Sequence, residues 1–161
     1  MPPRPAQRLV LFVCTGNTCR SPMAEALLRR ALPEGTDWEV ASAGLCAPHG
    51  LAASAGAVAA LRDVDVDVDL ATHHSRLLTA AWIRQADVIV ALASTHRDQI
   101  LRDHPDAGKR LFLLRSFDAA AAVHDRDIAD PVGASAAAYR LCRDRIAAAI
   151  PGLVEFLATL S

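Results

Sequence analysis

The residues best suited to chemistry stand close together in Cys14-Thr15-Gly16-Asn17-Thr18-Cys19-Arg20-Ser21. An apolar run, Leu9-Val10-Leu11-Phe12-Val13, precedes them, and a helical pattern beginning at Ser21-Pro22 follows. A buried strand running into a helix is where α/β sheets hold anions, because the first helical amides lack acceptors and the helix dipole favours negative charge. Amides from Thr15 to Arg20 can curl into a nest for a phosphoryl group, with Gly16 and Asn17 suited to left-handed backbone angles. Arg20 adds a planar fork for two phosphate oxygens. The same positive surroundings favour thiolate over thiol at Cys14, and so a nucleophile. Ser21 can hydrogen-bond that thiolate and cap the helix. Taken singly, each residue reads as part of an ordinary strand-to-helix turn; their joint spacing points to nucleophilic attack on a bound phosphate.

The elements that position this loop follow from hydrophobic patterning. Residues 9–13 are apolar without alternation, as in a strand buried on both faces of a parallel sheet, and are expected to form its central strand. Further strands are expected at Trp38–Ser42, Val88–Ala91 and Arg110–Leu114, with helices from Ser21, over Ala52–Leu61, Leu77–Ala86 and Ser94–Asp103, and from Ser135 to Leu160. Strands alternating with helices imply an α/β fold: a doubly wound, four-stranded parallel sheet with helices on both faces. Glu25 and Arg29 read as an exposed i,i+4 pair. Pro151-Gly152 is expected to break or kink the last helix.

The chain has 161 residues, 52% of them hydrophobic, enough for one core. The expected organisation is a flexible N-terminus over 1–8 and a single domain over 9–161. A formal charge of −1 argues against a nucleic-acid partner. No apolar run is long enough for a membrane span, and residues 1–8 lack the core of a signal peptide. The expectation is a cytoplasmic protein whose cysteines, 14, 19, 46 and 142, begin as free thiols. Their spacing, and that of the six histidines, fits no metal site, so no metal or other cofactor is expected and the histidines are read as surface or loop residues. Asp63 to Asp69 superficially resembles a calcium loop, but Val68 stands where glycine is needed and His74 where glutamate is needed.

The loop and the Pro22-Met23-Ala24-Glu25 that follows resemble the low-molecular-weight protein tyrosine phosphatase family. His74-Ser75-Arg76 is similar to a His/Arg segment after the second helix in that family, and Asp130-Pro131 to its general-acid loop. The resemblance implies the fold above and a two-step reaction through a phosphocysteine on Cys14. Asp130 would protonate the leaving group and then activate water. Asp118, Asp125 and Asp127 lie nearby, but Asp130 matches the family by preceding Pro131. By the same resemblance Asn17 holds the loop's strained shape, and Cys19 protects Cys14 through a reversible disulfide. The substrate would be a phosphorylated protein, and the enzyme a monomer or weak dimer.

Tyrosine-directed members commonly carry isoleucine where Thr18 stands, and aromatic residues after Asp-Pro where this chain has Val132-Gly133. The loop resembles instead the bacterial branch that acts on protein phosphoarginine, although that branch often has phenylalanine at the place of Val132. Thr18 and Val132 are therefore the candidate selectivity residues, leaning to phosphoarginine over phosphotyrosine. A thiol-dependent arsenate reductase shares Cys-Thr-Gly-Asn but needs two further relay cysteines; Thr79–Asp103 has none, and Cys46 and Cys142 are far apart in sequence. A phosphoresidue-binding module would need loss of the nucleophile or the acid, and Cys14 and Asp130 are both present.

Overall fold

A computed structural model of the chain describes residues 7–64 and 70–160. The N-terminal residues 1–6 and the aspartates at 65, 67 and 69 lie outside the described residues. In chain order the elements are β1 (Arg8–Cys14), α1 (Arg20–Ala31), β2 (Trp38–Gly44), α2 (Ala55–Arg62), α3 (Ala80–Gln85), β3 (Val88–Ala91), α4 (Ser94–Asp103), β4 (Leu111–Leu113) and α5 (Ala136–Thr159). The strands form one parallel sheet in the order β2-β1-β3-β4. The order reverses beside β1, so the crevice at its C-terminal end, where Cys14 sits, is the switch point at which such sheets bind ligands.

The strand at 9–13 is interior because both of its faces are buried. Val10, Phe12 and Cys14 pack on one side with Met23 and Leu28 of α1, Leu61 of α2 and Ile146 of α5. Leu9, Leu11 and Val13 pack on the other with Ile83 of α3 and Ile100 of α4. Truncating a side chain such as the fully buried Phe12 to alanine in such a core costs about 3–5 kcal/mol. Arg8 is not part of a loose N-terminus: it opens β1, with its guanidinium paired to Asp37 at 2.9 Å and stacked 4.1 Å over Trp38.

Several boundaries differ from expectation for local reasons. Helix α2 begins at Ala55 because the Ser54 hydroxyl accepts from the Ala57 amide, while Ala52 is bridged to His74. Helix α3 begins at Ala80 because Thr79 caps it and Leu77 is bridged to Gly44. Strand β2 runs on through Ala43 and Gly44 rather than stopping before them. Helix α5 continues through Pro151 without a break. Proline removes the amide that would bond the Ala147 carbonyl, and both residues lie on the solvent face, where water can take that acceptor. Gly152 is no breaker either; a Cβ there would collide with the Phe117 carbonyl, so glycine is what lets α5 dock.

Candidate active site

The loop after β1 is turned inside out relative to an ordinary turn. The carbonyls of Cys14, Thr15, Thr18 and Cys19 accept from the amides of Leu45, Cys46, Ser54 and Met23 at 2.8–3.1 Å. The Asn17 carbonyl accepts from His73 Nε2 at 2.7 Å. The amides of 15–20 donate to no protein acceptor among the described residues. With the oxygens anchored outward, this is a nest for an anion with no negative side chain in the loop itself.

Asn17 is the one non-glycine residue with positive φ, at 55°, among the described residues, whereas Gly16 does not adopt the left-handed angle expected of it. Such a backbone persists only where the surroundings over-determine it. The fully buried Asn17 amide donates to Ser21 Oγ and Ser42 Oγ, each at 2.9 Å, and its Oδ1 accepts from the Arg76 amide at 3.0 Å. Ser21 Oγ lies 2.8 Å from Cys14 Sγ. Toward a Cys14 thiolate, which can only accept, the Ser21 hydroxyl is the donor. That hydroxyl is spent here rather than on a cap: α1 starts at Arg20, with Cys19 at the N-cap position and no side-chain cap bond. The helix N-terminus is thereby left open to a ligand.

The expected i,i+4 pair of Glu25 and Arg29 forms, at 3.2 Å, but only its arginine is exposed. Arg29 is exposed, but Glu25 is buried, accepts from Ser42 Oγ at 3.3 Å and lies 3.8 Å from His73 Nδ1. Ser42, Glu25 and His73 thus form a layer of polar support under Asn17, and His73 rather than the exposed His74 reaches the loop. Gly44 permits the layer to close, since a Cβ there would sit 2.5 Å from the Thr15 carbonyl and 3.0 Å from the Asn17 amide nitrogen. The histidines are not all surface residues: His96 is 2% exposed, its Nε2 is 3.0 Å from Thr15 Oγ1, and burial followed by the Arg20 charge pushes its pKa down to about 4. None of these supports belongs to the loop motif. A serine and a glycine in the apolar second half of β2 were the available signal for Ser42 and Gly44.

Arg20 is buried, and its Nη1 donates to the Ile128 carbonyl at 3.0 Å. Its Nη2 lies 3.4 Å from Thr15 Oγ1 and 3.6 Å from Asp130 Oδ2. Asp130 Oδ1 accepts from the Val132 amide at 3.1 Å, which holds the carboxylate facing the loop within its own turn. The neighbouring acids are used elsewhere: Asp118 accepts from Ala120, Asp125 pairs with Arg115, and Asp127 accepts from the amide and hydroxyl of Ser94. Thr18 is half-buried in the crown of the loop, and Val132, 59% exposed, stands beside Asp130. Leu51, 48% exposed, lies in the segment between β2 and α2.

Cys19 is buried beside Cys142 of α5; that neighbour, followed by burial, pushes the Cys19 thiol up. Cys142 therefore lies beside Cys19, whereas Cys46 is exposed. Among the described residues no cluster of three or more metal-ligating side chains occurs, and no helix is long and apolar enough to cross a membrane.

The profile described as low molecular weight phosphotyrosine protein phosphatase matches residues 9–160. A protein-arginine-phosphatase from Geobacillus stearothermophilus is 41% identical over 93% of this chain and 96% of its own length. A low molecular weight protein-tyrosine-phosphatase from Streptomyces coelicolor is 38% identical over 90% of each chain. The solved structure of the YwlE arginine phosphatase from Geobacillus stearothermophilus superposes with a TM-score of 0.83 at 40% identity, covering 94% of both chains.

Proposed function

The chain belongs to the low molecular weight phosphotyrosine protein phosphatase family, a cysteine-dependent phosphoprotein phosphatase by descent, and from that premise we propose that its substrate is phosphoarginine in proteins. The observation that carries the catalytic reading is the convergence of Cys14, Arg20 and Asp130 on one nest of unpaired amides. Cys14, as thiolate with the Ser21 proton directed at it, attacks phosphorus. The amides of Thr15, Gly16, Asn17, Thr18, Cys19 and Arg20, with the Arg20 fork, hold the phosphoryl oxygens, where charge develops in the transition state. As the P–N bond breaks, Asp130 gives its proton to the departing guanidine nitrogen. The resulting carboxylate takes a proton from water, which attacks the phosphocysteine and releases phosphate and the Cys14 thiolate. Arg20 holds Asp130 at 3.6 Å until phosphate claims the guanidinium.

The preference for phosphoarginine rests on Thr18 and Val132. A threonine at the crown of the loop gives a hydroxyl to an N-phosphorylated side chain or to the attacking water, and less apolar bulk than isoleucine. Val132 is a smaller wall than the aromatic ring that would flank a phenyl group. The tyrosine reading is kept in view by the Streptomyces relative's name. Turnover of matched phosphoarginine and phosphotyrosine peptides by wild-type and Thr18→Ile protein separates the two. Preference for phosphoarginine in the wild type, shifting toward phosphotyrosine in Thr18→Ile, is expected; preference for phosphotyrosine in both sinks the assignment. Loss of aryl phosphate hydrolysis in Cys14→Ser tests the nucleophile. The four free thiols suit a reducing cytoplasm, where we place the enzyme as a monomer or weak dimer.

A further inference from the structure

The first turn of α4 lies outside every motif of the loop, yet it touches the loop and the acid segment together. His96, buried at 2% exposure in that turn, meets Thr15 Oγ1 at 3.0 Å, and Thr15 Oγ1 is also 3.4 Å from Arg20 Nη2. Two positions earlier, Ser94 binds both Asp127 oxygens, at 2.7 and 3.0 Å. The next residue after Asp127, Ile128, takes Arg20 Nη1 at 3.0 Å and returns its own amide to the Leu92 carbonyl at 3.0 Å. Both arms of the guanidinium are thus held from one helix start, one arm through Thr15 and the other through the 127–128 segment.

We propose that His96 is a positioning residue that, through the Thr15 hydroxyl, fixes the Arg20 fork in the orientation that receives the phosphate dianion. The proposal rests on the phosphatase reading above. Arg20 donates to Thr15 Oγ1, and in the His96 tautomer that carries its proton on the buried, unpartnered Nδ1 the hydroxyl proton goes to Nε2, so the three groups form a chain of hydrogen bonds in which each strengthens the next. A neutral imidazole serves here, since a protonated one would have no acceptor lone pair for that proton and would repel Arg20. Without the chain, Nη2 keeps the Asp130 carboxylate at 3.6 Å as its remaining partner among the described residues, a long contact with a carboxylate that is 47% exposed and fixes the fork less firmly. Thr15 gains a role beyond its amide, and the buried His96 a reason to be polar in an apolar setting.

The test measures binding of inorganic phosphate, and KM and kcat for an aryl phosphate, in His96→Phe, His96→Gln, Thr15→Val and the double variant His96→Phe with Thr15→Val. A hydrogen bond of ordinary net strength predicts that His96→Phe and Thr15→Val each weaken phosphate binding about 3- to 10-fold. KM should rise in step while kcat changes less, because a misoriented fork already loses contact with the dianion in the bound ground state, and Arg20 itself remains to meet the charge that develops in the transition state. His96→Gln, whose amide reaches the same place, should stay within about 2-fold of wild type, and the double variant should be no weaker than either single one. Additive losses in the double variant, or wild-type phosphate affinity in Thr15→Val, overturn the proposal. Should His96→Phe fail to fold, Thr15→Val and His96→Gln decide it alone. Phosphate binding without any turnover by the wild-type protein would refute the phosphatase reading instead, so the two failures are distinct.

Discussion

Replacing Gly44 by alanine is the sharpest test of how the loop is held, because this residue touches no ligand and belongs to no motif. A Cβ at position 44 would stand 2.5 Å from the Thr15 carbonyl oxygen, 2.8 Å from Ala47 Cβ and 3.0 Å from the Asn17 amide nitrogen. Ordinary contact begins near 3.4 Å, so the Thr15 carbonyl must retreat by about 0.9 Å. It cannot do so freely, since it accepts from the Cys46 amide at 2.9 Å and the neighbouring Asn17 is tied to Ser21, Ser42 and Arg76. Overpacking of this kind costs about 1–3 kcal/mol of stability, and each kcal/mol lowers Tm by about 2–4 °C in a chain of this size. The larger effect should be on rate: a displacement of about 1 Å in a catalytic nest costs on the order of 100-fold. The assay is kcat/KM for an aryl phosphate and for a phosphoarginine peptide, beside thermal unfolding and phosphate inhibition. A fall in kcat/KM of about 100-fold with a folded protein is expected. Wild-type kcat/KM and phosphate affinity in Gly44→Ala would refute the close-approach argument, and a fall explained wholly by unfolding would refute the claim that the strain falls on the nest.

Asn17→Gly keeps the left-handed backbone and loses the side-chain bonds, whereas Asn17→Ala loses both. Urea unfolding should therefore find the alanine variant about 1–2 kcal/mol less stable than the glycine one, and equal stabilities would mean that φ at 17 carries no strain. For His96, the folded pKa of about 4 lies below the ordinary value of 6.5, so the unfolded chain takes the proton first as pH falls. Its contribution to stability is full above about pH 6.5 and is lost toward pH 4, amounting to at most about 3 kcal/mol. His96 is faced by Arg20, Asp127 and Asp130, and His96→Gln should flatten this limb of the stability profile; an unchanged acid slope would show that other groups set it. Peroxide should inactivate the wild-type enzyme reversibly, with thiol restoring activity, through a Cys14–Cys19 disulfide. Cys19→Ser should turn that loss irreversible, and full recovery of the variant by thiol would remove Cys19 from the protective role.

Much of the site was legible because its chemistry lies in consecutive residues. Cys14 to Ser21 falls between an unbroken apolar strand and an amphipathic helix, and local spacing alone implies a phosphate nest with a nucleophile and a fork. The all-parallel sheet could be read in the same way from strands that alternate with helices. Asp130 was legible only through the family's Asp-Pro, since four aspartates share that loop and nothing in their spacing says which carboxylate turns toward Arg20.

What the chain order could not disclose is how the nest is braced. Pairing β1 with β2 in register sets Cys14 opposite Gly44 and Phe12 opposite Ser42, and only then does a small strand residue become the space into which Asn17 fits. Crossing of α4 over the other side brings His96 to Thr15, 81 positions away. Helix α5 carries Cys142 to Cys19. Each of these residues reads alone as an ordinary strand, loop or helix residue, because its role depends on distances between elements rather than on spacing along one of them. The sequence by itself pointed to the proposed reacting groups and to the order of the elements; the tertiary structure decided which buried polar side chains hold those groups in place, since sheet pairing and helix docking alone bring them within hydrogen-bond reach.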